Sequence, residues 1–281
     1  MSAQATSMRD ALYEAPGPRT RRLTIIGTTI SLVLVSIGLV LVVRQFYVTG
    51  QLDARYWAFF AESSTWIYLL NGLVGTLKVA VVAAAISIVL GMLLMLARTS
   101  GIRPLALVAR IITDFFRGVP SLLLIYFFYL SLPGIGVRLP PFWMITLPVA
   151  LAASGVLAEV FRAGVNAVPK GQTEAALSIG LTPHRTMMKI VLPQALRIVV
   201  PSLISQLVVV VKDTTVAYVV SYPDFMQNAR VLISNNDAVV SMYLVAAVVY
   251  ILINYAINQL SIYMARRSGN PVISRTSENP V

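Results

Sequence analysis

Residues 171–193 read GQTEAALSIGLTPHRTMMKIVLP, a polar, helix-forming stretch in a chain that is 57% hydrophobic. Thr173 is a candidate N-cap for a helix that begins at Glu174, because its hydroxyl can accept a hydrogen bond from a first-turn amide. The Glu174 carboxylate suits the positive end of the helix dipole. Gly180 stands where a helix commonly ends in a left-handed residue. These residues predict a short helix that closes on a glycine turn.

A second short helix is predicted directly after this turn. Thr182 is a good N-cap, and Pro183 occupies the first helical position, where a missing N–H costs little. The sequence HRTMMKIV continues the helix, and Pro193 is expected to interrupt it. The whole stretch therefore predicts a helix, a glycine turn and a helix. The residues alone allow either an interfacial amphipathic hairpin or a contact surface for another protein.

The rest of the chain has the composition of a membrane protein. It contains 281 residues, of which 12% are charged, and its mean hydropathy is +0.79. Several apolar runs approach or exceed the ~20 residues that cross a bilayer core. The fold class predicted is an all-α polytopic membrane protein of about six transmembrane helices. The predicted spans are roughly 23–43, 68–97, 106–131, 142–165, 196–220 and 239–264.

The net charge of +11 follows membrane topology. With the N-terminus in the cytoplasm, 14 of the 22 Lys and Arg residues fall on the cytoplasmic side and four fall outside. This asymmetry is the positive-inside rule, so both termini and residues 171–193 are predicted to be cytoplasmic. It accounts for the basic excess without a nucleic-acid partner. The first apolar run has no small-residue cleavage site after it, so it is predicted to be a retained span.

Several kinds of chemistry are excluded by residues that the chain lacks. There is no cysteine and only one histidine, His184, so thiolate chemistry and a His-rich metal site are not expected. No GxxxxGK[ST] phosphate loop is present, so we expect no ATP or other cofactor in this chain. No nucleophile–base pair suggests an intramembrane enzyme. The protein is predicted not to be catalytic by itself.

Charged residues inside apolar spans usually face a cavity or a partner, because burying a charge in lipid is costly. Glu159 and Arg162 lie three apart on one helix face, either as a structural pair or as a gate that contacts substrate. Arg117 precedes Gly118-Val119-Pro120. It either has a structural role or binds phosphate head groups, or it attracts an anionic ligand. Asn71 and Thr76 are weaker candidates for a pathway lining.

Four consecutive polar residues, Lys212, Asp213, Thr214 and Thr215, interrupt the fifth predicted span. They cover all helix faces, so local unwinding or a water-filled cavity is expected. A lysine, an aspartate and two hydroxyls could complement the carboxylate and ammonium groups of an amino acid. Structural pairing with another span is the alternative.

The spacing of the opening stretch resembles the cytoplasmic EAA loop of bacterial ABC importer permeases. That pattern is Glu-Ala-Ala, three residues, Gly, nine residues, Ile, one residue and Leu-Pro, and it is met here from Glu174 to Pro193. In that family the loop forms the coupling helices that seat in a groove of the ATP-hydrolysing subunit. The resemblance assigns this role to Glu174, Ala175, Ala176, Gly180, Thr182, Pro183, His184 and Arg185.

Other segments resemble the polar amino-acid uptake branch of the family. They include TLKVA, FRGVP, AEVFRAGV, VPKGQTEAA and VVKDTTV, and the resemblance covers roughly residues 68–265. The family usually has threonine where Val119 stands and often serine where Thr215 stands. Its acidic Glu-Leu pair is replaced here by Pro223-Asp224-Phe225. The opening YEAPGPRTRR and the first span look most similar to glutamate-uptake permeases of actinobacteria.

The resemblance implies an organisation and a set of partners. The domains are a cytoplasmic tail (1–22), an extra N-terminal helix with its external connection (23–67), the permease domain (68–265, with its coupling loop at 166–195) and a C-terminal tail (266–281). The implied complex lies in the bacterial plasma membrane. It contains two copies of an ATPase that binds ATP and Mg²⁺, a second, unlike permease chain, and an external substrate-binding protein. It would import a polar amino acid, and the resemblance favours glutamate, while arginine, histidine or glutamine fit the residues nearly as well.

The alternative function is a secondary amino-acid transporter driven by an ion gradient. Asp213 and Glu159 would then be ion or proton sites. This alternative does not explain a polar helix pair in the cytoplasm, and the sequence has no clear inverted repeat.

Overall fold

The structure, a computed structural model, describes residues 17–267, and these residues form α-helices and short turns with no β-strand. The predicted all-α membrane fold is confirmed. The chain divides after Tyr56 into two compact units, with α1 in the first and all later helices in the second. The helices are α1 (Pro18–Val48), α2 (Ser63–Thr99), α3 (Arg103–Gly118), α4 (Ser121–Gly134), α5 (Pro141–Ala167), α6 (Lys170–Ser178), α7 (Pro183–Thr186), α8 (Leu192–Thr214), α9 (Phe225–Asn236) and α10 (Val239–Arg267).

Five stretches are long and apolar enough to cross a membrane, and a bent pair of helices makes a sixth. The five are α1, α2, α5, the continuous run Pro183–Thr214 and Val239–Met264. The span predicted over 106–131 corresponds to this bent pair, in which α3 and α4 meet at 98°. Val119 has an extended backbone before Pro120 (ψ 125°). A residue before proline is driven out of the helical region, so the helix must end there.

Helix α5 lies at the centre of the second unit, and glycines bring three other helices close to it. A Cβ on Gly91 of α2 would lie 2.9 Å from the Cβ of Leu157. One on Gly155 would lie 2.8 Å from the backbone N of Arg117 in α3, and one on Gly164 would clash with a methyl of Val199 in α8. Small residues permit such close helix packing within a membrane. The positions of α2, α3 and α8 are therefore fixed against one central helix.

Pro193 does not interrupt the second short helix, contrary to the sequence prediction. A π-helical segment, Met187–Val191, follows α7, and the helix continues through Pro193 to Thr214. A proline in an α-helix removes an N–H and clashes with the carbonyl one turn before it. The wider π turn relieves this clash. The side-chain amide of Gln194 then donates to the carbonyl of Ile190 at 2.8 Å.

Candidate coupling surface and translocation site

The helix pair (residues 170–191) closes its first helix with a glycine turn, as the sequence predicts. Gly180 has a positive φ of 84°. Its N–H donates to the carbonyl of Leu177 at 3.0 Å, and the N–H of Leu181 donates to that of Ala176 at 3.1 Å. These two bonds are the Schellman motif that ends a helix in a left-handed residue. A residue with a side chain would be strained here, so the turn requires glycine.

The two N-cap predictions in the helix pair have different outcomes. Thr182 is confirmed, since its hydroxyl accepts the N–H of Arg185 at 3.4 Å and Pro183 occupies the first turn. Thr173 is wrong as an N-cap, because α6 already begins at Lys170 with Pro169 as its N-cap residue. The extended backbone of Pro169 (ψ 131°) lets the helix begin one turn earlier.

Helix α6 presents a different set of residues on each side. Ala176 is buried against the bundle, and the side-chain amide of Gln194 in α8 donates to the Gln172 carbonyl oxygen at 3.2 Å. Glu174 and Ala175 are exposed on the other side. None of the described residues makes a side-chain hydrogen bond or ion pair with Glu174. This face combines a small residue with an unpaired carboxylate, and Pro183, His184 and Arg185 are exposed beyond the turn.

Glu159 joins three helices near the end of the bundle that carries the helix pair. Its carboxylate accepts Arg98 of α2 at 2.5 Å and the Arg162 guanidinium of α5 at 2.7 and 2.8 Å. Arg117 of α3 lies 3.6 Å from the same carboxylate. The predicted Glu159–Arg162 pair is therefore present. The sequence indicated Arg98 only as a cytoplasmic charge, because its contact with α5 spans 61 residues of chain.

Positive charge is in excess around Glu159. Asp114 lies 3.6 Å from both Arg110 and Arg117, so four arginines share two carboxylates in this cluster. The side chain of Glu159 is only 18% exposed, which strengthens its ion pairs relative to exposed ones. The cluster fixes α2, α3 and α5 relative to one another. A gating or substrate contact for Glu159, Arg162 and Arg117 stays a prediction.

The polar run of the fifth span lies where two helices end. Helix α8 stops at Thr214, Thr215 follows as its C-cap, and a 3-10 turn covers Ala217–Val220. Ser121, the first residue of α4, lies close enough to half-buried Asp213 to interact with its carboxylate. The expected unwinding is thus present, and it brings the α4 N-terminus beside the α8 C-terminus.

This arrangement offers groups of both signs within an apolar bundle. Helix termini carry unpaired N–H and C=O groups that can replace the hydration of a charged ligand. Lys212 is exposed, while the hydroxyls of Thr214 and Thr215 bond to carbonyls of their own helix at 2.8 and 2.7 Å. The site can therefore complement an ammonium group through Asp213 and a carboxylate through Lys212 or the α4 amides.

The two weaker candidates of α2 lie in different surroundings. Asn71 is exposed, whereas Thr76 is fully buried. The Thr76 hydroxyl donates to the Gly72 carbonyl at 3.3 Å and accepts the N–H of Phe225 at 3.0 Å. In this conformation Thr76 serves the packing of α2 against α9. A pathway role for either residue stays a prediction.

Asp224 is a buried acid that was not proposed as a site residue, although Pro223-Asp224-Phe225 stood out as a departure from the family pattern. It caps α9 by accepting the N–H of Gln227 at 2.7 Å, and its other oxygen has no partner among the described residues. Burial raises the pKa of Asp224 to about 6. Burial, together with the Asp224 charge, also raises the pKa of Tyr222. An aspartate before a helical pattern was the available signal.

Comparison with known proteins places this arrangement in a family. Residues 87–269 match the family described as "Binding-protein-dependent transport system inner membrane component". The glutamate transport system permease protein GluD of Corynebacterium glutamicum is 33% identical over 241 residues, covering 82% of this chain and 88% of that protein. The glutamate/aspartate import permease protein GltK of Escherichia coli O6:H1 is 36% identical over 209 residues, covering 72% and 93%.

A solved structure agrees with both relatives. It is a crystal structure of an amino acid ABC transporter with histidines, and one of its chains is 29% identical with a TM-score of 0.70. The superposition covers 74% of this chain and 98% of that chain. The similarity in sequence and in fold therefore extends over most of the chain.

Proposed function

Because this chain belongs to the binding-protein-dependent transport system inner membrane components, we propose that it imports glutamate with energy from a separate ATPase. It is a multi-pass membrane protein and a permease subunit of an amino-acid ABC importer. It is a transport protein with no catalytic role of its own. The observation that supports ATP coupling most is the exposed face of α6, where an unpaired glutamate and a small residue adjoin an ordered glycine turn.

The ATPase binds the helix pair on the exposed face of α6. Glu174 and Ala175 contact the groove of the ATPase, and the exposed residues Pro183, His184 and Arg185 extend the surface beyond Gly180. Ala176 is buried and small, so it allows α6 to lie close to the bundle. ATP and Mg²⁺ are bound by the ATPase and not by this chain.

Movement of the helix pair reaches the spans through two connections. Helix α6 follows α5 after only two residues, and the π segment joins α7 directly to α8. Since Gly164 brings α5 against Val199 of α8, the two spans move with the pair. The contact between Asp213 of α8 and Ser121 of α4 then changes, which opens the polar site to the other side of the membrane.

Glutamate is the proposed cargo because both relatives described above carry it in their names. Its ammonium group would bind Asp213, and its two carboxylates would bind Lys212 and the amides at the α4 N-terminus. The charge excess around Glu159 favours an anionic cargo as it leaves the bundle.

The complete importer would contain more than this chain. We propose two ATPase copies and a second, unlike permease chain, since one chain forms half of a pathway. An external substrate-binding protein delivers glutamate at the end opposite the helix pair. Both termini lie in the cytoplasm of a bacterial cell, as the basic residues indicate.

Uptake of labelled glutamate in cells that lack this chain, with and without a plasmid copy, tests the proposal. We expect the plasmid to restore uptake, ATP depletion to abolish it, and an ionophore to leave most of it. Competition with unlabelled aspartate, glutamine, arginine or histidine then tests the cargo. If uptake survives ATP depletion but not the ionophore, and no ATPase co-purifies, the ion-driven alternative with Asp213 and Glu159 as ion sites replaces this proposal.

A further inference from the structure

A cleft of about 830 Å³ separates the helix pair from the ends of α2 and α3. Its size is within the range of small-molecule sites in proteins. Leu93 and Leu96 of α2 and Leu105 of α3 form one wall, and Met187 and Val191 of the π segment form the other. The apolar walls of the cleft thus lie between the element that meets the ATPase and the spans that it moves.

The mouth of the cleft is polar and carries positive charge. Exposed polar residues line the cleft, among them Lys170 at the start of α6, Thr99, Ser100 and Asn166. No aspartate or glutamate lines the cleft, and Lys170 makes no ion pair within residues 17–267. The buried hydroxyl of Thr186, also in the wall, has no hydrogen-bond partner among the described residues. An apolar interior with an uncompensated cation at its mouth suits an anionic amphiphile.

The cleft uses a different side of α6 from the coupling surface. Lys170, Thr173 and Leu177 line the cleft, and their spacing of three and four residues places them on one helix face. Glu174 and Ala175 lie on another exposed face. Pro183 and His184, which extend the coupling surface, also line the cleft, so an ATPase bound to Glu174 and Ala175 borders the cleft but leaves its α6 side available.

The surroundings of the cleft indicate a membrane lipid as its occupant. Leu93 and Leu105 are 56% and 43% exposed, and α2 ends at the cleft, so the opening lies at the membrane surface. Acyl chains reach such leucines, whereas a soluble anion would leave the apolar walls unfilled. Basic pockets between spans near a membrane surface bind anionic head groups.

We propose that this cleft binds one anionic phospholipid, with its phosphate at Lys170 and an acyl chain along the leucines of α2 and α3. A bound lipid fills the gap between the helix pair and the spans. Motion imposed by the ATPase is then transmitted to α2 and not lost in an empty cleft. Anionic lipid is expected to raise the rate of transport.

The binding step is tested by chemical accessibility, since the chain contains no cysteine. The variant Thr173→Cys, in the assembled complex, is labelled with a maleimide in phosphatidylcholine vesicles with or without phosphatidylglycerol. We expect phosphatidylglycerol to slow labelling about fivefold, as one basic side chain at a membrane surface implies. Leu177→Cys repeats the measurement at a second cleft residue if Thr173→Cys fails to assemble.

The same labelling distinguishes the other occupants. When Lys170→Gln is combined with Thr173→Cys, phosphatidylglycerol should no longer protect the cysteine. When Lys189→Gln is combined with it instead, the protection should remain, because Lys189 is an exposed lysine of the same helix pair that does not line the cleft. Equal labelling in both vesicles overturns the proposal. If the cysteine is already protected from maleimide in phosphatidylcholine alone, a protein fills the cleft and the proposal fails. If soluble glycerol phosphate protects it as well as phosphatidylglycerol does, the cleft is a free-anion site and the proposal also fails.

Transport provides a second readout, and this part rests on the proposed function. Phosphatidylglycerol should raise ATP-dependent glutamate uptake several-fold for the wild type and for Lys189→Gln, and much less for Lys170→Gln. A Lys170→Gln importer with the full response to phosphatidylglycerol contradicts the lipid role. Absence of uptake by the wild type in every vesicle would contradict the proposed function instead, and the labelling result would still decide lipid binding.

Discussion

Glu159 and Glu174 lie on consecutive segments of one chain, and their surroundings differ in every respect. Glu159 is mostly buried and its carboxylate is shared among Arg98, Arg162 and Arg117. Glu174 is exposed and no described residue pairs with it. A carboxylate enclosed by arginines from three helices holds a fold together, whereas one left unpaired on a rigid helix is available to another protein. Glu159 thus serves the fold of the bundle, and we propose that Glu174 serves a contact with another protein.

The largest effect on stability is expected for Glu159→Gln. The substitution keeps the shape of the side chain but leaves Arg98 and Arg162 without a carboxylate, and Arg117 with Asp114 alone. We expect a loss of about 3 kcal/mol in the free energy of unfolding. This value is at the lower end of the usual cost of breaking a buried ion pair, because the site is partly exposed. Thermal unfolding of the solubilised permease measures it. Glu174→Gln should change stability by less than about 0.5 kcal/mol, and equal effects of the two variants would abolish the comparison.

Asp224 sharpens the comparison, because it is a third acid that is buried without a cation. Its pKa of about 6 in the fold lies above the usual 3.8, so the folded state holds its proton more tightly than the unfolded state. The resulting stability is present below pH 3.8 and is lost as the pH rises through 6. Between pH 5 and 7.5 we expect a loss of about 1.4 kcal/mol. Thermal unfolding across this range measures it.

The control for this prediction is Asp224→Asn, which keeps an N-cap oxygen but cannot titrate. Its stability should be nearly flat between pH 5 and 7.5. A wild-type protein that gains stability over that range would show that the Asp224 carboxylate is stabilised by a positive partner, as Glu159 is.

The smallest effect is expected within the exposed helix pair. Thr182→Ala removes an N-cap hydroxyl and should cost about 1 kcal/mol locally. Hydrogen exchange at the amide of Arg185 should accelerate about fivefold, because that N–H loses its acceptor. Thr173→Ala is the matched control, since Thr173 lies inside α6 and caps nothing. Equal acceleration in both variants would mean that Thr182 does not hold the start of α7.

The helix pair can be predicted from the sequence to a greater extent than the cluster around Glu159. The helix pair depends on neighbouring residues, so the left-handed Gly180 and the cap at Thr182 could be predicted from local rules. Pro193 could not, because the π turn before it depends on how α8 packs. The bend at Val119-Pro120 was present in the sequence as a proline, but the continuous apolar run suggested one span. The link from Arg98 to Glu159 depends on tertiary packing, which no local pattern contains.

The resemblance of the EAA spacing indicated the family, and the comparisons confirm it. The relation between the polar run and α4 came only from the structure. Lys212 to Thr215 predicted a disturbed helix, but nothing in those residues indicates that Ser121 lies opposite Asp213. A site formed where two helix ends meet requires the fold.

The central claim is that Glu174 and Gly180 transmit the force of an ATPase to the spans. Its most direct test is the number of glutamate molecules transported per ATP hydrolysed by the reconstituted importer carrying Glu174→Lys or Gly180→Lys. The control is Glu62→Lys, which makes the same charge change as Glu174→Lys at an exposed site far from the pair in sequence. We expect the ratio to fall at least tenfold in both variants, with the chain still inserted, and to stay unchanged in the control. An unchanged ratio in both variants would contradict the assignment of the helix pair as the coupling element.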